Sequence, residues 1–467
     1  MALHVWLSIM AVIYSYLLRD FASAETGDFY VLGSDGIYVI DPVAKSVVAK
    51  ITNAAAPGLC SKKQHRESCK FSQVCVFNGT VFIADYDADA VHVIDVRTHK
   101  KIETIPTGKF PLRLYCLPWR KEVWVQLYDY RSTYSFDVFE TDGRTRTRVS
   151  RAQPQSDAPG NTMLSEKDML EGKTAFVTDN AYPGIHELNL ETKNYTRFRN
   201  FSRYGCTGTH GIAYNSYNKH LYVGCVKKEY QNASILEVDT VSDTTKKWSF
   251  HGYPFVSPDG RYVVFLNRTS NASRINILAV NRTGFNASHY PILTFPGRAS
   301  NPVFYPKVKT SVSYYMFLTL DYADKMAVVD MDLPKNEQIF VVKYIENVVY
   351  HGSLLPWVWR DLFIAGEWII SPATQNKTVM IINAETQKIH AKISGVNGGH
   401  FAVWVSRPTT GGTAKPTPGE SPGPTTTGSS QNATSGTRGT GNPSRLVLLV
   451  ILYVLCETAL KFSAEEV

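Results

Sequence analysis

The chain has 467 residues, 44% hydrophobic and 12% aromatic, with 49 Lys and Arg against 41 Asp and Glu for a formal charge of +8. A sizeable packed core is therefore available, and the plentiful Tyr and Phe lean toward β structure. The positive balance suits anionic partners at a cell surface rather than nucleic acid, because the chain carries the marks of export. Metalloprotease (HExxH), nucleophile-elbow (GxSxG) and Gly-rich phosphate-loop signatures are absent from the sequence.

The first segment has an apolar run from Val5 to Leu18 followed by Ala22-Ser23-Ala24, which predicts a signal peptide over residues 1–24. Ten glycosylation sequons agree with export: Asn78, Asn194, Asn200, Asn232, Asn267, Asn271, Asn281, Asn286, Asn376 and Asn432. Four of them crowd between Asn267 and Asn286, where glycans would keep that edge in solvent.

From Phe29 a pattern recurs: strand, turn, strand ending in a short polar residue, turn, strand. The middle strands close on Asp41, Asp95, Asn189, Asp239, Asp330 and Asn383, often with Thr or Ser three places on, as at Thr98, Thr192, Ser242 and Thr386. Such side chains fold back on their own backbone and close a tight turn, so they read as turn chemistry. A further short strand, such as "SQVCVF" or "NPVFYP", precedes most units. Four strands at a period of roughly 40–55 residues predict a β-propeller.

Seven complete units start near Phe71, Phe110, Lys167, Cys206, Tyr253, Ala299 and Gly352. Before them Asp28–Asn53 supplies three strands, and after them His400–Val405 supplies one. The expected fold is thus all-β: one propeller over residues 25–405 with eight four-stranded blades (alternatively seven). Pairing of the N- and C-terminal strands would close the ring and cover exposed edges. The polar stretch Val149–Glu171 reads mostly as a loop between blades.

Three stretches carry candidate chemistry. "DYDADA" places Asp85, Asp87 and Asp89 at alternate positions of a calcium-loop template, but Ala90 and Val96 stand where that template needs Gly and Glu. A hairpin turn is the plainer reading, a weak calcium site the sharper one; no other cofactor is expected. "GRTRTRVSR" puts Arg144, Arg146 and Arg148 on one face of an outermost strand. Charge there protects an edge from pairing, or presents guanidinium groups to sulfated glycans. "SKKQHRESCK" (Ser61–Lys70) is a second basic loop. His210 and His351 each precede a probable first strand, where channel residues of propellers sit; a satisfied turn histidine is the bland alternative.

Six cysteines lie in the exported part and predict three disulfides with 15 possible connectivities; the absence of CxxC pairs argues against zinc. Residues 406–443 are rich in Pro, Gly, Ser and Thr and read as an extended stalk. The apolar run Leu446–Cys456 would span roughly 16 Å as a helix, against a hydrocarbon core of about 30 Å. Residues 444–467 therefore fit a GPI-attachment signal, with Ser435 as attachment site, or a single-pass anchor that buries Glu457.

The blocks "YGCTGTHGIAYNSYNKHLYVGC" (Tyr204–Cys225), "GYPFVSPDGRYVVFLN" (Gly252–Asn267) and Leu355–Ile389 resemble the C-terminal propeller region of the follistatin-like 4/5 proteins, and the blades are similar to YVTN-type repeats. The likeness covers roughly residues 27–405. The family's Kazal, EF-hand and immunoglobulin-like modules have no counterpart here, so its calcium binding does not carry over. Within that block Cys206 and Cys225 fall on the first two strands of one blade and are expected to pair. Cys75 and Cys116, on first strands of neighbouring blades, form the second pair, and Cys60 and Cys69 the third. The resulting expectation is a non-enzymatic cell-surface glycoprotein binding an extracellular protein or a sulfated glycan, held to the membrane by its C-terminal anchor. A shed matrix component and a channel-based hydrolase or lactonase are the alternatives.

Overall fold

The computed structural model describes residues 26–63, 66–128, 135–140, 146–150, 162–226, 234–269, 271–285, 292–307, 313–320, 323–332, 342–348, 362–373 and 377–407. The signal peptide, stalk and tail, with Arg144, Asn232, Asn286, His351, Asn376, Asn432 and Ser435, lie outside the described residues.

The molecule is an eight-bladed β-propeller; the alternative of seven blades does not hold. Blade 1 comprises Phe401–Ser406, Gly27–Gly33, Gly36–Asp41 and Ser46–Ile51, in that order from first to fourth strand. Blade 2 comprises Phe71–Phe77, Thr80–Asp85, Ala90–Asp95 and Lys100–Pro106, and blade 3 Pro111–Leu117, Glu122–Leu127, Ser135–Glu140 and Arg146–Ser150. Blade 4 runs Met163–Leu164, Thr174–Thr178, Gly184–Asn189 and Asn194–Asn200, and blade 5 Gly208–Asn215, His220–Val226, Ser234–Asp239 and Thr245–Trp248. Blade 6 is Tyr253–Val256, Tyr262–Arg268, Ala272–Asn281 and Ile292–Pro296, with the short strand Gly284–Phe285 paired to the end of its third strand. Blade 7 is Val303–Pro306, Tyr314–Leu320, Lys325–Asp330 and Val342–Glu346, and blade 8 Phe363–Ala365, Trp368–Ala373, Thr378–Asn383 and Lys388–Ser394. The only helical segments among the described residues are the single 3-10 turns Leu170–Gly172 and Ser202–Tyr204.

Blade 4 starts at Met163, not near Lys167. The stretch expected as a loop therefore contains the end of one blade (Val149 and Ser150) and the two-residue first strand of the next. Cys206 lies just ahead of its strand rather than on it.

Middle strands are apolar on both sides because each blade packs between two neighbours. In blade 2, Val81 and Ile83 join Tyr30, Leu32 and Val39 of blade 1, while Phe82 joins Val123, Val125 and Phe139 of blade 3. Successive side chains of a strand point to opposite faces, so one strand feeds both interfaces. The outermost strands alternate instead, as in Ser46–Ile51.

Several turns from third to fourth strand are shaped by a polar residue that closes the third strand. Asp41 Oδ1 accepts from Val43 N and Ala44 N, Asp95 Oδ1 from Thr98 N, and Asn189 Oδ1 from Glu191 N and Thr192 N. Four places on the backbone turns left-handed, at Lys45, His99 and Lys193. The ring closes as expected: Tyr30 stands opposite Val403, and Phe29 packs edge-on against Trp404 at 4.9 Å. Arg407 clasps the joint by donating to Asp28 (2.9 Å) and Asp41 (2.6 Å).

Candidate ligand-binding face

An antiparallel four-stranded blade sends its second-to-third connection, and the link to the next blade, to one end of the sheet; its other two connections go to the opposite end. Repeated around the ring, this makes a connection face and an opposite face. The chain joins and leaves the propeller at Thr26 and Arg407, where Arg407 N donates to Thr26 O beside the Asp41 turn, and so on the opposite face.

Two of the three disulfides staple the connection face. Cys60–Cys69 closes the base of a small hairpin, Ser61–Lys63 paired with Arg66–Ser68, between blades 1 and 2. That base is built in: Leu59 and Cys60 are buried, and their N–H groups donate to Asn53 Oδ1. Cys206–Cys225 ties the link between blades 4 and 5 to the second strand of blade 5. The third disulfide, Cys75–Cys116, joins the first strands of blades 2 and 3.

The Asp-rich turn lies on the same face, next to the hairpin. Its carboxylates do not converge. Asp85 is buried and accepts from Asp87 N and Ala88 N, with His92 Nε2 at 3.4 Å. Asp87 pairs with Lys70 at 3.1 Å, and Asp89 with Lys109 at 2.6 Å and Phe110 N at 2.8 Å. Among the described residues no group of three His, Cys, Asp or Glu side chains is placed to hold a metal ion. The turn in this structure is a hairpin whose acids serve backbone amides and lysines.

Blade 4 repeats that arrangement. Asp179 accepts from Ala181 N and Tyr182 N and meets His186 Nε2 at 3.0 Å. Both pairs have the spacing Asp-x6-His, a repeat present in the sequence but missed by a reading that looked only at strand ends. Blade 5 uses a different set: Glu237 accepts from Trp248 Nε1 and contacts His220 Nδ1 at 2.8 Å. Each set ties a third strand to its neighbours, which stiffens the blade.

His210 stands on the first strand of blade 5, beside a bulge where Gly211 has φ +61°. Its ring packs edge-on against Tyr253 of blade 6 at 4.8 Å. Burial, aided by repulsion from His251, lowers its pKa to about 4, so the ring is neutral. Its buried Nδ1 has no hydrogen-bond partner.

Of the basic strand expected to carry Arg144, Arg146 and Arg148, the described part is Arg146–Ser150, the outermost strand of blade 3, with Arg146 opposite Phe139 and Arg148 opposite Asp137; Arg144 lies outside the described residues. Of the described sequons, Asn78, Asn194, Asn200, Asn271 and Asn281 are exposed and Asn267 is half-buried. Asn267 and Asn271 flank the connection-face end of blade 6, whereas Asn78 and Asn281 sit in turns of the opposite face.

No family model matches the chain. Among solved structures, AztD from Citrobacter koseri superposes on 81% of this chain and 98% of its own, with a TM-score of 0.54 and 13% identity. Hydrazine synthase from Kuenenia stuttgartiensis covers 70% of this chain and 98% of its own, with a TM-score of 0.48 and 14% identity. At such identities the likeness to AztD is one of fold alone.

Proposed function

We propose that this protein is a non-enzymatic binding scaffold of the extracellular space, taking a protein or glycan partner on its connection face. The observation that carries this reading is the separation of roles between the two faces. Two disulfide staples rigidify the connection face, while the described chain enters and leaves the ring on the other, at Thr26 and Arg407. Disulfides fit an oxidising compartment, and no helix among the described residues is long and apolar enough to cross a membrane. The GPI-anchored form, the ten glycans and kinship with the follistatin-like propellers belong to the same proposal.

A pair of matched glycan wedges tests it. Thr207→Asn creates the sequon Asn-Gly-Thr on the connection face of blade 5, and Thr240→Asn creates Asn-Val-Ser on its opposite face. Each change removes one threonine hydroxyl bond to a backbone carbonyl, at Val226 and Lys219 respectively, so the structural perturbation is similar. Soluble propeller carrying the first wedge should lose binding to partner-bearing cells, and the second should keep it. The reverse result refutes the assignment of the face.

A further inference from the structure

The sequons differ in what lies beside them. In an extended strand the residue two places before an asparagine shares its face of the sheet. For Asn200 that residue is Phe198, which is 37% exposed. No other described sequon has an exposed aromatic residue there: the position holds Val76, Thr192, Phe265, Thr269 and Ala279, and Phe265 is fully buried.

Asn200 ends the outermost strand of blade 4 at the connection face. It stands opposite Gly184, and Phe198 stands opposite His186. Directly opposed side chains lie on the same side of a sheet. Gly184 has none, and the Phe198 ring leans into the space it leaves. A Cβ built on Gly184 would lie 2.6 Å from Phe198 Cζ and 2.8 Å from Cε2. Opposed Cβ positions are about 5 Å apart, so the tip of the ring lies within about 8 Å of the Asn200 Cβ. The side-chain amide and the first sugar of a glycan bridge that distance.

Both contact groups are fixed by the fold itself. Ser202 N donates to Asn200 Oδ1 at 2.8 Å, which orients the amide and leaves Nδ2, the atom that takes the sugar, outside that bond. Phe198 is backed by His186, with ring centroids 4.5 Å apart and planes 30° apart. His186 Nε2 in turn meets the buried Asp179 at 3.0 Å. An N-acetylglucosamine ring presents C–H groups on one face, and an aromatic face is a favourable floor for them. Because the floor and the amide are already held, little freedom is lost when they meet.

We propose that Asn200 carries an N-glycan whose first N-acetylglucosamine packs on Phe198, so that sugar, Phe198, His186 and Asp179 form one column at the rim of blade 4. This rests on the extracellular reading above and assigns one glycan a place in the fold. The column ties the outermost strand of the blade to its third strand from the solvent side. Sugars on the other described sequons have no such floor and act as solvated shields.

The test uses the full-length protein purified from mammalian cells, with glycopeptide mass spectrometry for occupancy and calorimetry for stability. Asn200 should be occupied. Ser202→Ala removes the sequon but keeps Asn200 and the N–H that orients it. Its thermal midpoint should fall by about 1–2 °C, the size of one aromatic contact in a domain this large. In a Phe198→Leu background, which keeps an apolar side chain on His186, Ser202→Ala should shift the midpoint by less than half as much. Asn194→Gln, which removes a sugar at the other end of the strand, should leave the midpoint within error. After every glycan is trimmed to a single N-acetylglucosamine, the difference between wild type and Ser202→Ala should persist. The proposal is overturned if Ser202→Ala leaves the midpoint unchanged, if Asn194→Gln costs as much, or if Ser202→Ala costs as much in the Phe198→Leu background. Ser202 is exposed, so its single variant carries the test if Phe198→Leu fails to fold. A bare Asn200 among filled sequons also overturns the proposal and leaves the extracellular reading standing, whereas sequons bare throughout refute both.

Discussion

Stopping the chain after Gly399 removes the strand that closes the ring. Six register pairs are lost, from Leu32–Phe401 to Gly27–Ser406. Phe401, Ala402 and Val405 are all less than a tenth exposed, and the two larger side chains alone contribute about 3–6 kcal/mol. The truncation also strands Asp28 and Asp41, both largely buried, without Arg407, and uncovers one edge of Gly27–Gly33. The combined loss, roughly 5–9 kcal/mol, is comparable with the whole stability of a typical domain. The truncated chain should be retained in the secretory pathway or exported in small yield as an open form of low thermal midpoint. A graded variant tests the same joint. A Cβ on Gly27 would collide with the Trp404 ring and lie 2.6 Å from Val405 O, so Gly27→Ala should cost about 1–3 kcal/mol. Calorimetry should show its midpoint lowered by roughly 1–4 °C with unfolding still cooperative. Normal export and an unchanged midpoint for the truncated chain would refute the closure by shared strands.

Three further outcomes follow from the buried polar groups and the staples. His210 binds its proton more weakly folded (pKa about 4) than unfolded (about 6.5), so the unfolded state takes up more protons as pH falls; stability should drop by no more than about 2 kcal/mol from pH 7.5 to 5, and His210→Gln should remove that part of the urea-midpoint shift. Asp179→Ala leaves two turn amides and His186 without their acceptor and should destabilise by about 3–5 kcal/mol in urea melts, whereas Asp179→Asn, which retains an acceptor, should cost less. Removing Cys75–Cys116 by a double change to Ala opens a loop with a sequence separation of 41, worth about 4 kcal/mol in the chain-entropy account, and chemical denaturation should register a loss of that order.

Blade number was legible because a turn residue recurs at the same place in most units; Asp41, Asp95, Asn189, Asp239 and Asn383 all close their turns through backbone amides. The start of blade 4 was not, because Met163–Leu164 is too short to show alternation. Asp85, Asp87 and Asp89 looked like one cluster at alternate positions, yet a tight turn sends one carboxylate inward and two toward separate lysines. The buried Asp–His pairs escaped notice because the partners sit on different strands and meet only across a turn.

We propose that partners dock on the connection face, and the matched glycan wedges at positions 207 and 240 test this most directly. Loss of cell binding with Thr207→Asn and its retention with Thr240→Asn is the expected result. Loss with Thr240→Asn alone would put the partner on the other side of the ring and contradict the proposal.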